Sequence, residues 1–208
     1  MRTVSVLLFL LVPVLLAGQS EFIVNTHLES VQRDPQIARD ADGNYVVVWK
    51  TEFQVDSASR GDIALQFFGA SDVPIGAETV VNTVTDGDQD KPAVAMNGAG
   101  DLIVVWASHT GFSTIYDIKG RIFRNRLPAG DEFIVNTTTE HSQTNPDVDI
   151  DASGNFVVVW DSWHQDGSDR GVYAQRFDAA GNKIGTEFQV NGTTDYSQAR
   201  PAVRWLSD

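Results

Sequence analysis

Cysteine is absent from this 208-residue chain. Without it, the fold has no disulfide, and no thiolate can serve as a nucleophile or metal ligand. The chain also lacks an apolar run long enough to cross a bilayer, which predicts that no segment spans a membrane. Burial and backbone pairing must therefore stabilise the protein, and about 190 residues are enough for one domain held in this way.

Recognisable catalytic signatures are missing as well. The four histidines are scattered, no pair has the spacing of a zinc protease, and there is no Gly-x-Ser-x-Gly. The sequence thus assigns no catalytic residue, metal ligand or cofactor, and this favours a non-enzymatic protein. Carboxylates are abundant, so an exported glycan-active hydrolase using such groups stays as the alternative.

Positive charge is scarce. Fifteen Lys and Arg residues against 28 Asp and Glu residues give a formal net charge of −13. A surface of this sign repels phosphate backbones, which argues against nucleic-acid binding.

A single long apolar segment lies at the N-terminus. Met1-Arg2-Thr3, the apolar run Val4–Leu16 and the small residues Ala17-Gly18 are typical of a secretory signal peptide. We predict a signal peptide over residues 1–20 and a mature protein that is secreted, periplasmic or at the cell surface.

The main positive feature is a motif that returns at nearly constant spacing. Glu21-Phe-Ile-Val-Asn25 has counterparts ending at Asn82, Asn136 and Asn191, with the asparagines 57, 54 and 55 residues apart. Such a period indicates one supersecondary unit that is copied and stacked. We therefore predict a single repeat domain over 21–208, with units 27–82, 83–136 and 137–191 and a partial unit 192–208.

Each unit is predicted to hold four strands, and the chain to be all-β, because no segment has helical periodicity. The second strands, Tyr45–Trp49, Leu102–Trp106 and Phe156–Trp160, are apolar at every position. A continuous apolar strand indicates cover on both faces. Four-stranded sheets stacked face to face are typical of β-propeller blades, with a β-solenoid as the competing geometry.

Further motifs recur with these strands: Gln143-x-x-Pro146-x-Val148, Gly154-Asn-Phe-Val-Val-Val-Trp160, Gln165-Asp-Gly167 and Gly171-Val-Tyr-Ala-Gln-Arg-Phe177. Together with Glu132-Phe-x-Val-Asn136 they make the unit resemble the uncharacterised propeller-type repeats of secreted bacterial proteins. The resemblance implies a propeller-like array of about three four-stranded blades, and it says little about activity.

Two terminal partial-blade strands are predicted, an outer one at Glu21–Thr26 and an inner one at Pro201–Trp205. Closed propellers have roughly four to eight blades. We therefore expect an open arc, a fragment of a longer propeller, or one part of a homo-oligomer whose edge strands pair with another chain.

Residues present in every unit are predicted to be structural. They are Asn25, Asn82, Asn136, Asn191, Gln32, Gln89, Gln143, Gln198, Trp49, Trp106 and Trp160. Asparagine at a strand end can bond its own backbone, and glutamine three residues before proline can fix the path into the next unit. We expect the tryptophans to be buried.

Residues that differ between units are better candidates for ligand contact. On the longer loops at one end of the strands these are Glu52, Phe53, His109, Phe112, Tyr116, Trp163 and His164. Aromatic faces stack on sugar rings while polar groups bond the hydroxyls. They point to a glycan- or protein-binding module or a surface scaffold, although the same side chains can simply pack on one another.

Two turns, Asp40–Asn44 and Asp149–Asn155, resemble oxygen-rich calcium loops, which gives a calcium-binding structural repeat as a weaker alternative. A calcium loop needs six to eight oxygens, including a well-placed bidentate carboxylate. Here the positions after the glycine belong to the apolar second strand. The pattern favours hairpin turns and no metal.

Overall fold

The computed structural model describes residues 21–52, 59–109 and 115–206, and no helix occurs in these ranges. In unit 1 the strands are β1 (Gln32–Arg39), β2 (Tyr45–Thr51), β3 (Ser59–Phe68) and β4 (Pro74–Val80). In unit 2 they are β5 (Gly87–Met96), β6 (Leu102–His109), β7 (Asp117–Arg124), β8 (Leu127–Pro128) and β9 (Phe133–Ile134). In unit 3 they are β10 (Gln143–Ile150), β11 (Phe156–Trp163), β12 (Arg170–Phe177) and β13 (Lys183–Gln189). The all-β prediction is confirmed.

Each unit is an antiparallel meander. Strands β1 to β4 pair in chain order, and so do β10 to β13, while β8 and β9 both pair with β7. A short parallel pairing of Ser59 with Gly87 and of Gly61 with Asp88 joins units 1 and 2 into one nine-stranded sheet. Neither sheet closes on itself within the described ranges.

The middle strand of unit 2 is packed on both faces, as its unbroken apolar sequence predicts. Leu102, Val104 and Trp106 face a core shared with unit 1. Ile103, Val105 and Ala107 alternate with them and face a core shared with unit 3. The units therefore stack face to face, and burial between them supplies the main stabilising term.

The two terminal segments differ from the prediction, because neither 21–26 nor 201–205 is a strand. Their backbone N–H groups bond to carboxylates instead of to a strand ladder. Thr26 N–H donates to Glu78 at 2.6 Å, Val203 N–H to Asp147 at 2.8 Å and Trp205 N–H to Asp149 at 2.6 Å. The described residues contain no second strand to pair with either segment, so no ladder forms.

The fourth strand of unit 2 is also shorter than predicted, since β9 covers only Phe133–Ile134. Asn125 and Arg126 have φ values of 50° and 65°, which form a tight two-residue turn that folds β8 back on β7. The chain then leaves the ladder before β9 begins. Within the described residues, no helix is long and apolar enough to cross a membrane.

Candidate functional site

In each of the three whole units, a repeated glutamine and a repeated tryptophan form the same hydrogen bond. The indole N–H donates to the glutamine side-chain oxygen in Trp49–Gln32 (2.7 Å), Trp106–Gln89 (3.0 Å) and Trp160–Gln143 (3.0 Å). The tryptophans are at most 3% exposed. A buried indole N–H needs an acceptor, so each glutamine satisfies the tryptophan of its own unit.

The repeated asparagines tie the fourth strand to the third. The side-chain oxygens of Asn82, Asn136 and Asn191 accept backbone N–H groups of the third strands at 2.7–2.8 Å. Their amide groups donate to a carbonyl two residues further on, and Asn25 makes this second bond as well. These contacts lie within the fold and leave the amide groups engaged.

Of the predicted ligand residues, His109 and Tyr116 pack on each other. Their ring centroids are 4.7 Å apart at 89°. The Tyr116 hydroxyl donates to Asp88 at 3.1 Å, and Asp88 accepts from the buried Lys50 ammonium at 2.5 Å. Burial lowers the pKa of His109, and Asp88 opposes this shift. Burial raises the pKa of Tyr116, and Asp88 raises it further.

Trp163 and His164 form a separate group beside unit 2. Their rings lie 5.7 Å apart, and the Arg170 guanidinium lies 4.4 Å from the Trp163 ring. With His141 they border a small hollow of about 240 Å³. Glu52 is elsewhere, in an ion pair with Arg33 at 2.6 Å. Phe53 and Phe112 lie outside the described residues, and the others are not brought into one site.

The aspartates of the predicted hairpin turns are occupied by the turns themselves. Asp40 accepts both the backbone and the side-chain N–H of Asn44 at 2.8 Å. Asp151 makes the same pair of bonds with Asn155. In the ranges that the structure describes, no group of three His, Cys, Asp or Glu residues is arranged to hold a metal ion.

An open cleft lies where the first strands of the units meet. This central cleft, of about 590 Å³, runs between β1, β5, β10 and the segment 198–206. Asp34, Lys91, Asn145 and Arg200 line it from equivalent positions of four successive units, each directly before a proline. A volume of this size is typical of ligand sites.

Those four residues share an unusual backbone conformation. Their φ values are 54°, 51°, 52° and 58°, in the left-handed region that residues other than glycine rarely adopt. In β1, β5 and β10 the strand pairing shifts register at the same place, which marks a bulge. Bulges and strained residues of this kind are concentrated at binding sites, where they aim a side chain.

Buried charged side chains of units 1 and 3 bond residues in or beside the bulges. Lys50 directly follows a repeat tryptophan, is 1% exposed and pairs with Asp88 at 2.5 Å and Asp90 at 3.2 Å. Asp161, at the equivalent position of unit 3, is fully buried. It accepts the side-chain amide of Asn145, the Arg200 backbone N–H at 2.7 Å and the Arg170 guanidinium at 3.3 Å. Burial raises the pKa of Asp161 despite these donors.

Sequence reasoning missed the central cleft. It treated the Gln-x-x-Pro segment as purely structural and looked for ligand residues on the longer loops. A signal was nevertheless present, because the residue before each proline differs in charge and type from unit to unit while the proline stays. The loop candidates have the same property, since they too differ from unit to unit.

Neither a protein-family model nor a curated protein sequence matches the chain. Among solved structures it is similar to the α-L-arabinanase of Penicillium chrysogenum in complex with arabinobiose. The identity is 14% and the TM-score 0.57, over 86% of this chain and 50% of that chain. A thermostable family-43 glycoside hydrolase shares 14% identity at a TM-score of 0.47, over 82% of this chain and 61% of that one. Identities this low show likeness of fold alone, and the chain spans about half the length of the arabinanase.

Proposed function

We propose that the mature chain is an exported, propeller-type repeat module that binds a glycan in the central cleft and does not cleave it. We propose further that its units are blades related to the uncharacterised propeller-type repeats of secreted bacterial proteins. The fold likeness to an arabinanase solved with a sugar ligand supports a glycan-related propeller.

The observation that carries the proposal is the convergence of three bulged strands and the segment 198–206 on one opening. The units keep the proline and the positive φ of the residue before it, whereas that residue changes from aspartate to lysine, asparagine and arginine. A lining of mixed charge and hydrogen-bonding type suits a hydroxyl-rich ligand.

The alternative is a glycan-active hydrolase, and one observation favours it. Two carboxylates, Asp34 and Asp147, line the central cleft, and glycoside hydrolysis uses a pair of carboxyl groups. Asp147 is held by the Val203 N–H at 2.8 Å. Binding without turnover is nevertheless the function that we place first.

The test is a glycan array followed by calorimetry with the best ligands, arabino-oligosaccharides included. We expect binding without release of reducing ends. Gln36 also lines the central cleft, two residues after Asp34. Gln36→Ala should weaken binding about tenfold or more, since it removes an amide that can bond a sugar hydroxyl. Trp163→Ala, in the separate loop group, is the matched comparison and should leave the affinity unchanged.

Three results would overturn this assignment. Absence of binding to every glycan would remove the function itself. A loss caused by Trp163→Ala alone would move the site to the loops. Turnover that is abolished by Asp34→Asn or Asp147→Asn would establish the hydrolase instead.

A further inference from the structure

We infer that His141 and His164 together bind a divalent transition-metal ion that prefers imidazole nitrogen, with Zn²⁺ as the best match. The site lies on the loops of unit 3, apart from the central cleft, and does not depend on the proposed function. No spacing motif relates the two histidines, because they belong to different loops. The strand pairing brings them together, since Gln143 and Ser162, each two residues from one histidine, are partners in the ladder of β10 and β11.

The distance between the two imidazoles suits one shared ion. Their ring centroids are 5.5 Å apart, with the ring planes at 78°. A zinc–nitrogen bond of about 2.0–2.1 Å, plus about 1.2 Å from nitrogen to ring centre, places two rings on a tetrahedral ion about 5.2 Å apart. Adjacent ligands of a square-planar ion would lie about 4.5 Å apart. The observed separation is therefore close to the tetrahedral value.

A backbone carbonyl determines which nitrogen of His164 is available. Its Nδ1 lies 2.6 Å from the Ser168 carbonyl oxygen. Because a carbonyl oxygen can only accept, Nδ1 carries the hydrogen, and Nε2 of the neutral ring keeps its lone pair. Histidines that bind metals almost always donate their second ring N–H to such an acceptor, which orients the ring and makes the ligand nitrogen more basic.

The backbone around both histidines is held in place by hydrogen bonds. His164 has a φ of 56°, and its N–H donates to the Asp169 carbonyl at 2.8 Å. Residues other than glycine rarely adopt this conformation, and such strain is concentrated at functional sites. The Trp163 N–H donates to the Ser142 carbonyl at 3.1 Å, which fastens the neighbour of one histidine to the neighbour of the other.

The surroundings leave the imidazoles free to bind an ion. Both rings are exposed and border the hollow of about 240 Å³, together with Ile115 and Trp163. Among the described residues, no hydrogen bond or ion pair occupies the ring nitrogens of His141, whose ring contacts that of His164. The described residues supply two ligands and not three, so water takes the remaining positions, as in open zinc sites. The apolar walls lower the local dielectric around the ion.

The first experiment titrates the processed, untagged protein with ZnCl₂ by calorimetry in millimolar calcium. Calcium prefers oxygen ligands, so it should not compete with zinc here. We expect one zinc ion per chain. His141→Gln and His164→Gln should each weaken zinc binding at least about tenfold, because even the loss of an outer partner of a ligand costs about 10–100-fold.

His109→Gln is the matched control, since His109 is 6% exposed and packs on Tyr116. This variant should keep the wild-type affinity for zinc. Melting curves of the three variants, recorded without added metal, verify that each one is folded.

A second experiment locates the site with Cu²⁺, which binds nitrogen ligands more tightly than the neighbouring divalent metals and quenches nearby indoles. The Trp163 ring lies 5.7 Å from the His164 ring. Trp163→Phe should therefore remove most of the fluorescence quenching at one equivalent of Cu²⁺. Trp205→Phe is its control, because Trp205 bonds Asp149 near the opposite end of β10 and should retain the quenching.

Four results would overturn the inference. They are absence of stoichiometric zinc binding, an affinity that survives both His141→Gln and His164→Gln, a loss with only one of these two variants, and an equal loss with His109→Gln. The first would show that the two rings only pack on each other. The others would place the ion elsewhere or on a single imidazole.

Discussion

At the scale of single residues, the buried bond between glutamine and tryptophan gives the first prediction. Gln143→Leu leaves the Trp160 indole N–H without its acceptor in a site from which water is excluded. We expect the free energy of unfolding to fall by about 1–3 kcal/mol, measured by urea denaturation. Gln198→Leu is the control, because the Gln198 side chain bonds the Asp195 and Tyr196 carbonyls and the Asn191 amide, and no tryptophan among the described residues. Equal losses in the two variants would contradict this role for the bond.

The same residues show which features of the core could be predicted from the sequence. The period identified which glutamines and tryptophans are structural positions, and continuous apolar strands predicted burial of the rings. The partnership between them was not predicted, because the two residues are 17 apart and meet across a strand pair. A repeat indicates that a residue has the same structural role in each unit. The role itself depends on the register of the strands, which the sequence does not give.

A second prediction at this scale concerns His109, whose pKa burial lowers from the ordinary value of 6.5. The unfolded chain then takes up the proton before the folded one, so stability is lost as the pH falls below about 6.5. Asp88 and Asp86 oppose the shift, while Arg60 and Lys50 reinforce it. We expect His109→Gln to lose less stability than wild type between about pH 7.5 and about pH 5.5. His141→Gln, at an exposed site, is the control, and identical pH profiles for wild type and His109→Gln would contradict the prediction.

At the scale of strands, the glutamate that begins each Glu-x-x-Val-Asn motif ties one unit to the one before it. Glu78 bonds Thr26, Glu132 bonds Thr83 and Glu187 bonds Thr137, each through a backbone N–H at 2.6–2.9 Å. Glu132 also accepts the Lys119 ammonium at 2.6 Å. Burial alone raises the pKa of Glu132, but the Lys119 and Thr83 donors outweigh it and hold that pKa below the ordinary value.

Glu132→Gln should therefore lower the free energy of unfolding by about 1–3 kcal/mol, since it replaces charge-assisted bonds at a site only 8% exposed. The loss should shrink as the pH drops below the ordinary glutamate range, because the wild-type carboxylate is then protonated. Glu21→Gln changes the same motif position where no described residue bonds the side chain, and it should be neutral. A pH-independent loss would show that packing, and not charge, is responsible.

The bulges explain why the central cleft could not be found from sequence. The residue before a proline is ordinarily extended, because the proline ring disfavours other conformations. That rule places Asp34, Lys91, Asn145 and Arg200 in regular strands, whereas all four have positive φ. At Arg200 the conformation is accompanied by a contact from another unit, the bond from its N–H to Asp161. Tertiary contacts override the local rule at the cleft.

At the scale of the whole molecule, we predict that no metal holds the fold together. The turn carboxylates of Asp40 and Asp151 are filled by the N–H groups of Asn44 and Asn155, which occupy the lone pairs that a cation would use. Melting temperatures in EDTA and in millimolar calcium should nearly coincide. A rise of many degrees with calcium would support the calcium-binding alternative, and Asp40→Asn together with Asp151→Asn would then have to abolish it.

Stacking of the units also leaves one apolar face uncovered. The valine of the Glu-x-x-Val-Asn motif is fully buried at Val81 and Val135, yet Val190 of unit 3 is 53% exposed. Phe133 packs on Phe177 of the following unit at 5.6 Å, whereas its equivalent Phe188 is 43% exposed. The residues that bury these positions in units 1 and 2 come from the next unit along. An exposed face of this kind is costly in water and favours association.

We therefore expect the processed chain to self-associate, with a sedimentation coefficient that rises with concentration above that of a monomer. Phe188→Lys and Val190→Lys should each lower the association, because a charge on the face must be desolvated in any contact. Val73→Lys is the control, since Val73 is 59% exposed in a turn away from that face and should change nothing. If the wild-type protein sediments as a single monomer at every concentration, or if Val73→Lys acts as strongly as Val190→Lys, this face is not where the chains meet.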